Sequence, residues 1–211
     1  MQPLIPAGER IQGSRGRQLV GLALVALCLL AASCATGPRF HKVTPAYSEG
    51  EDTFVLDLPY FSQKKDSCCG AACLAMLAGY WKGTGAGADM NTGSCPEEGF
   101  SGGELVEMAE RAGFSALLFK TDLAGLLTEV AATRPVIVML GAQGGRHYAV
   151  CYGFSQDRGQ VVLADPGRGR VYCSNTEFMQ SWRQAKGFAL VVVEQPAGEK
   201  ETTQVRPKEQ P

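Results

Sequence analysis

Residues 63–74, Gln63-Lys-Lys-Asp-Ser-Cys-Cys-Gly-Ala-Ala-Cys-Leu74, place the strongest constraint on the fold. A polar loop gives way at Cys69-Gly70 to an apolar run of helical length, Ala71 to Trp81. Ala71, Ala72, Cys73, Leu74, Met76 and Leu77 leave this helix almost no polar face, so the fold has to bury it nearly all round. Two adjacent cysteines stand at its mouth. A thiol at a helix N-terminus faces unpaired backbone N–H groups and the positive end of the helix dipole, and both favour the thiolate, the nucleophilic form. The buried helix is then a rigid mount for a nucleophile, and the rest of the chain has to supply a base.

The chain has 211 residues, enough for one domain with a proper core. Its formal net charge of −1 gives no support to nucleic-acid binding. Eight cysteines are too many to ignore and too few for a small disulfide scaffold. His41 and His147 are its only two histidines, so a histidine-dependent mechanism has few candidates.

Residues 1–33 read as an export signal. Arg10, Arg15 and Arg17 precede an apolar stretch from Leu19 to Ala32, which is short for a membrane span of ~20 residues. The stretch ends in Leu30-Ala-Ala-Ser-Cys34 and resembles a bacterial lipoprotein cleavage site, in which Cys34 becomes the lipidated first residue. An uncleaved membrane anchor is the other reading of this run; either way the rest of the chain is expected outside the cytoplasm. Ala35, rather than an aspartate, favours the outer membrane by the same resemblance. Cleavage removes three of the 20 basic and one of the 21 acidic residues, leaving 17 and 20 and a net charge near −3. Residues 34–53 read as a polar tether, with His41 a solvated residue inside it. Residues 54–195 are the expected domain, and the charged, proline-bearing stretch 196–211 a disordered tail.

Within the domain, Val55–Phe61 reads as a short strand, edge-like or bent at Pro59. The glycine-rich stretch 83–100 reads as a long loop. Ser101-Gly-Gly-Glu104 fits a capping box that opens a helix to about 112, and Ser174-Asn-Thr-Glu177 fits another. Thr121 is the expected cap of a helix whose Leu123, Leu126, Leu127 and Val130 share one face. Strands are expected at 114–120, 135–140, within 144–153, and at 160–164 and 188–193, with a hairpin joining the third and fourth.

An activated thiol needs a base in hydrogen-bond reach and a third group to orient that base. His147 is the only histidine of the domain. Asp165 stands at the end of the strand paired with that of His147, where a carboxylate can take the proton on the far imidazole nitrogen. Gln63, with a backbone N–H near Cys69, can donate to the oxyanion that develops on an attacked carbonyl. Cys69, His147, Asp165 and Gln63 are therefore the candidate catalytic residues.

At these positions the chain resembles the C39 family of papain-like cysteine peptidases, best known as the double-glycine leader peptidases of bacteriocin exporters. Three blocks carry the resemblance: Gln63-Lys-Lys-Asp-Ser-Cys68-Cys69-Gly70, His147-Tyr-Ala-Val-Cys-Tyr-Gly153, and Leu163-Ala-Asp165-Pro-Gly-Arg-Gly169. The spacing from Gln63 and the glycine that follows select Cys69 over Cys68 as nucleophile. Cys68 stands where the family carries an acidic residue. The resemblance implies an α+β, papain-like fold, with the nucleophile helix packed on an antiparallel sheet. It also implies a peptidase that works through a Cys thioester on a peptide or protein substrate, without a cofactor. It names no partner transporter.

Cys68, Cys69 and Cys73 form no CxxC pair, and no second ligand pair follows, so no metal is expected. Outside the cytoplasm a disulfide is the more natural outcome, and Cys68 and Cys95, both on loops, are the candidate pair. Cys73 and Cys151 are expected as buried thiols. Two other functions fit the same residues: a papain-like amidase or acyltransferase acting on cell wall, and a non-catalytic peptide-binding module of an export system.

Overall fold

The computed structural model describes residues 38–50, 52–91, 94–142 and 145–195. The export signal, Cys34 and the tail from 196 fall outside the described residues. In chain order the elements are β1 (His41–Lys42), α1 (Pro45–Ser48), β2 (Thr53–Val55), a 3-10 turn (Asp66–Cys68), α2 (Cys69–Lys82), α3 (Thr84–Met90), α4 (Gly102–Arg111) and β3 (Phe114–Lys120). They continue with α5 (Leu123–Ala131), β4 (Val136–Ala142), β5 (Gly145–Ser155), β6 (Gln160–Asp165), β7 (Gly169–Ser174), α6 (Asn175–Gln184) and β8 (Phe188–Glu194). The strands form one antiparallel sheet in the order β1-β7-β6-β5-β4-β8-β3, with β2 paired to β5. This is the expected α+β arrangement.

Both faces of the sheet are covered. On one, Leu74 and Leu77 of α2 and Leu105 of α4 pack with Ile137, Tyr148, Val150, Ala164 and Leu190. On the other, Leu126 and Val130 of α5 and Phe178 and Trp182 of α6 pack with Val136, Val138, Ala149 and Leu163. Double coverage explains why β4 and the core of β6 are unbroken apolar runs, although an antiparallel sheet with one wet face would alternate. Helix α2 is buried at every residue from Cys69 to Gly79, as its lack of a polar face requires.

Residues 83–100 are not simply a loop. Helix α3 has a composition, Thr-Gly-Ala-Gly-Ala-Asp-Met, that is poor for an isolated helix. Tertiary contact compensates: a Cβ at Gly87 would lie 2.5 Å from the Ala75 carbonyl oxygen and 2.6 Å from Phe61 Cε2. The helix packs so closely on α2 and Phe61 that only glycine fits.

The tether expected at 34–53 also needs correction, because from Pro38 onward the segment belongs to the fold. His41 and Lys42 pair with Tyr172 and Val171 of β7, and Thr53–Val55 pairs with the end of β5. Tyr47 is buried and stacks on Tyr172 with ring centroids 4.0 Å apart. His41 is exposed but stacks on the same ring at 5.3 Å. Three isolated aromatics, Phe40, Tyr47 and Phe54, anchor the segment with no periodic apolar pattern.

Smaller differences follow from local hydrogen bonding. The strand expected over Val55–Phe61 stops at Val55, although Leu56 N–H still donates to Tyr152 O and Leu58 is buried. Both capping boxes form. The cap of α5 is Asp122, whose carboxylate accepts from Gly125 N–H at 2.9 Å, and not Thr121.

Candidate active site

Cys69 is the first residue of α2, a helix of 14 residues, and is only 7 % exposed. No side chain caps this helix and its first turn holds no acidic residue, so its N-terminal donors remain available to the thiol. The glycine behind the nucleophile has a steric reason. A Cβ at Gly70 would come within 2.9 Å of Leu105 Cδ2 and 3.3 Å of Tyr148 Cδ2, so the helix can lie this close to β5 only without a side chain there.

The candidate base, His147, lies on β5, and the candidate orienting acid, Asp165, ends β6. In the β5–β6 register Val150 faces Ala164, which sets Asp165 diagonally across from His147. His147 Nε2 lies 2.9 Å from Asp165 Oδ1. The imidazole also interacts with the Cys69 thiol, each shifting the other's pKa, and with Nε2 engaged by the carboxylate, Nδ1 is left to face it. Asp165 is fully buried, and all its partners are donors: Oδ1 also accepts from Gly167 N–H (2.9 Å) and Arg168 N–H (3.0 Å), and Oδ2 from Arg168 Nη1 (2.7 Å).

These contacts set the charges. Burial pushes the Cys69 thiol up, but hydrogen bonds with His147 and with the backbone at Tyr148 and Gly70 bring it below its ordinary value. Burial disfavours the His147 imidazolium, yet the bonds to Asp165 and Cys69 raise the group to about 9. Burial also works against the Asp165 carboxylate, which His147 and Arg168 hold down at about 2. The three shifts favour the thiolate and the imidazolium beside an ionised carboxylate. The other described free thiols behave oppositely: burial raises Cys73, and takes Cys151 and Cys173 to about 12. Only the thiol at the mouth of α2 is activated among them.

Gln63 stands beside the Asp165 turn, its backbone N–H donating to Pro166 O at 3.1 Å. Its side-chain Nε2 donates to Asp66 Oδ1 at 3.3 Å, and its Oε1 is buried with no partner among the described residues. Among the described residues no hydrogen bond joins Gln63 to Cys69 or His147, so the structure brings together three of the four candidates. One Nε2 hydrogen of Gln63 is still free to donate. Cys68 and Cys95 form a disulfide, with Cα atoms 5.5 Å apart. It ties the segment before α4 to the residue preceding the nucleophile, and it removes Cys68 as a rival thiol. Among the described residues no three His, Cys, Asp or Glu side chains converge as a metal ion would require.

Sequence reasoning missed three contributors. Arg168 reads as an ordinary residue of a Pro-Gly turn, yet it sits three positions after Asp165 and pairs with it. The backbone N–H of Tyr148 reaches the thiol, and a backbone group leaves no trace in a sequence. Tyr60 donates its hydroxyl to Asp165 O (3.0 Å) and Pro166 O (3.1 Å), which fixes the turn from the α2 side; its place in a short apolar run gave no sign of this.

The family model described as the Peptidase C39 family matches residues 57–197. Comparison with curated proteins gives no match. Among solved structures, a C39-like peptidase from Bacillus anthracis is similar at 20% identity over 69% of this chain and 99% of that one, with a TM-score of 0.54. The peptidase domain of Streptococcus ComA, a bifunctional transporter, is 19% identical over 64% of this chain and 97% of its own, with a TM-score of 0.49. A double glycine motif protease from an AMS/PCAT transporter, solved with a leader peptide, is 21% identical over 67% and 94%, also at 0.49. The Bacillus structure supports the papain-like α+β fold.

Proposed function

The chain belongs to the peptidase C39 family, and we propose that it is an active cysteine peptidase, with Cys69 as nucleophile, His147 as acid and base, and Asp165 as the group that orients the imidazole. The observation that carries this reading is the line Cys69–His147–Asp165 at the mouth of α2, with the thiol lowered and the imidazole raised. The Cys69 thiolate attacks the carbonyl carbon of a peptide bond, and the oxyanion that forms is met by backbone N–H groups at the start of α2 and by the free Nε2 hydrogen of Gln63. His147 gives its Nδ1 proton to the leaving amine and a thioester remains. The same nitrogen then takes a proton from water, hydroxide adds to the thioester, and the thiolate leaves. Asp165 stays ionised throughout and holds the tautomer. A cleft of about 670 Å³ lies beside the start of β5, lined by Leu118, Met139, Arg146 and Phe188 among others; Arg146 is next in sequence to His147, while Cys69, His147 and Asp165 do not line the cleft.

The cellular setting belongs to the proposal too. Residues 1–33 are a lipoprotein signal, Cys34 carries the lipid, and the domain faces the periplasm, with the outer membrane favoured. The Cys68–Cys95 disulfide suits an oxidising compartment. Labelling with a palmitate analogue that is lost in Cys34→Ala supports the anchor, and labelling that survives refutes it.

The activity is tested by profiling protein N-termini in cells that carry the wild type or Cys69→Ala. New N-termini present only with the wild type are expected. Identical profiles, with both proteins expressed, would contradict the proposal.

A further inference from the structure

The region that matches the family begins at residue 57, yet the turn that carries Asp165 is also contacted, at Arg168, by residues that precede that region. The turn Asp165–Gly169 is gripped on one side by Tyr60 and the Gln63 backbone. On its other side lies the strand segment Phe40–Val43. The Arg168 guanidinium, whose Nη1 binds Asp165 Oδ2, is 5.0 Å from the centroid of the half-buried Phe40 ring. Lys42 Nζ donates to the Arg168 carbonyl oxygen. Val43 N–H donates to Arg170 O at 3.0 Å, and Lys42 pairs with Val171. These contacts hold both the side chain and the backbone of Arg168.

We propose that Phe40 and Lys42 are positioning residues of the active site: they form a strap that holds Arg168, and through it the Asp165 carboxylate, in line with His147. The proposal rests on the catalytic reading of Cys69, His147 and Asp165. The physical case is one of exposure. The Arg168 side chain is 48 % exposed, and an exposed arginine–carboxylate pair contributes little unless its geometry is fixed. A cation resting on an aromatic face within about 6 Å is held there and shielded from water. Phe40 thereby supplies the fixed geometry. The backbone of Arg168 also donates to Asp165 Oδ1, so slack in the strap reaches the oxygen that binds His147.

The test uses the full chain and reads the activation of the Cys69 thiol, which does not depend on knowing a substrate. Iodoacetamide labelling of Cys69 is followed by mass spectrometry at pH 6 in wild type, Phe40→Ala, Phe40→Trp and Lys42→Gln. The ionisable groups that face the imidazole are Asp165 and Cys69, with Arg168 behind the carboxylate. A looser Asp165 stabilises the imidazolium less, so less of Cys69 is thiolate. Phe40→Ala is expected to slow labelling about tenfold, the effect of about one unit in the thiol pKa. Lys42→Gln is expected to slow it less, and Phe40→Trp to keep the wild-type rate. Lys42→Gln carries the test if Phe40→Ala does not fold. Labelling of folded Phe40→Ala or Lys42→Gln at the wild-type rate overturns the strap, as does a Phe40→Trp rate no better than that of Phe40→Ala. Slow labelling in the variants of a wild type that cleaves no peptide would leave the strap standing and overturn the peptidase reading alone.

Discussion

His147 Nε2 and Asp165 Oδ1 lie 2.9 Å apart, and that one oxygen also accepts the backbone N–H groups of Gly167 and Arg168. The atom that orients the base is the atom that folds the β6–β7 turn. Because Asp165 is fully buried and all its partners donate, the carboxylate can only be satisfied when ionised. Turn geometry and imidazole chemistry are therefore coupled.

The first prediction concerns the pH dependence of hydrolysis. In the proposed mechanism the active form pairs a thiolate with an imidazolium, so activity is expected to fall on the acid side as the thiolate of Cys69 is protonated. It falls on the alkaline side near 9, as His147 loses the proton needed by the leaving amine. These limbs belong to the coupled pair. In Asp165→Asn the imidazolium loses its carboxylate, and the alkaline limb of kcat/KM moves down by about one unit or more. An unmoved limb would show that Asp165 does not act on His147.

The second concerns acid stability. The Asp165 carboxyl lies at about 2 in the fold, below its ordinary 3.8. A depressed carboxyl stabilises the fold above its unfolded value, and this contribution is lost as pH falls from about 4 through about 2. It amounts to something on the order of 2 kcal/mol. His147 works in the other direction. Raised to about 9, it stabilises fully below 6.5, and that contribution disappears as pH rises through 9. Urea unfolding of wild type and Asp165→Asn is the measurement, with a gap at pH 6 that narrows towards pH 2.

A third tests the close approach of α2 and β5. Leu105 is fully buried, so it cannot swing away from a new methyl group at position 70. Gly70→Ala is expected to cost about 1–3 kcal/mol by overpacking and to lower kcat. The cost should shrink in a Leu105→Val background, a coupling that a double-mutant cycle on unfolding free energies detects. Equal costs in both backgrounds would mean that Leu105 is not the obstacle.

The disulfide gives a fourth. Cys68 and Cys95 are 27 residues apart in sequence, and a cross-link of that span stabilises by about 3.5 kcal/mol in the chain-entropy account. Thermal unfolding of Cys95→Ser, or of the reduced wild type, should show that loss. Cys69 remains the reactive thiol in both.

Much of the site was legible because its chemistry needs particular residue types. Cys69, His147 and Asp165 lie in blocks whose neighbours, Gly70 and the Pro166-Gly167 turn, are there for steric or turn-forming reasons that a sequence displays. Elements made by tertiary contact were not legible. Helix α3 has a glycine-rich sequence because Gly87 packs against Ala75 and Phe61, and propensity alone reads that as loop. The segment from Pro38 to Val55 has no apolar period, and its strands exist only because β7 and β5 offer free edges. Gln63 shows the reverse case. Its spacing marks it as a candidate oxyanion donor, while one of its two Nε2 hydrogens goes to Asp66, a contact no spacing reveals.

The central claim is that Cys69 forms a thioester with the substrate. The direct measurement is an acid quench during turnover of a peptide substrate, followed by mass mapping and hydroxylamine treatment. The account predicts an acyl adduct on Cys69 that hydroxylamine removes, and no adduct in Cys69→Ala. Hydrolysis that persists in Cys69→Ala, or an adduct on any residue other than Cys69, would contradict it.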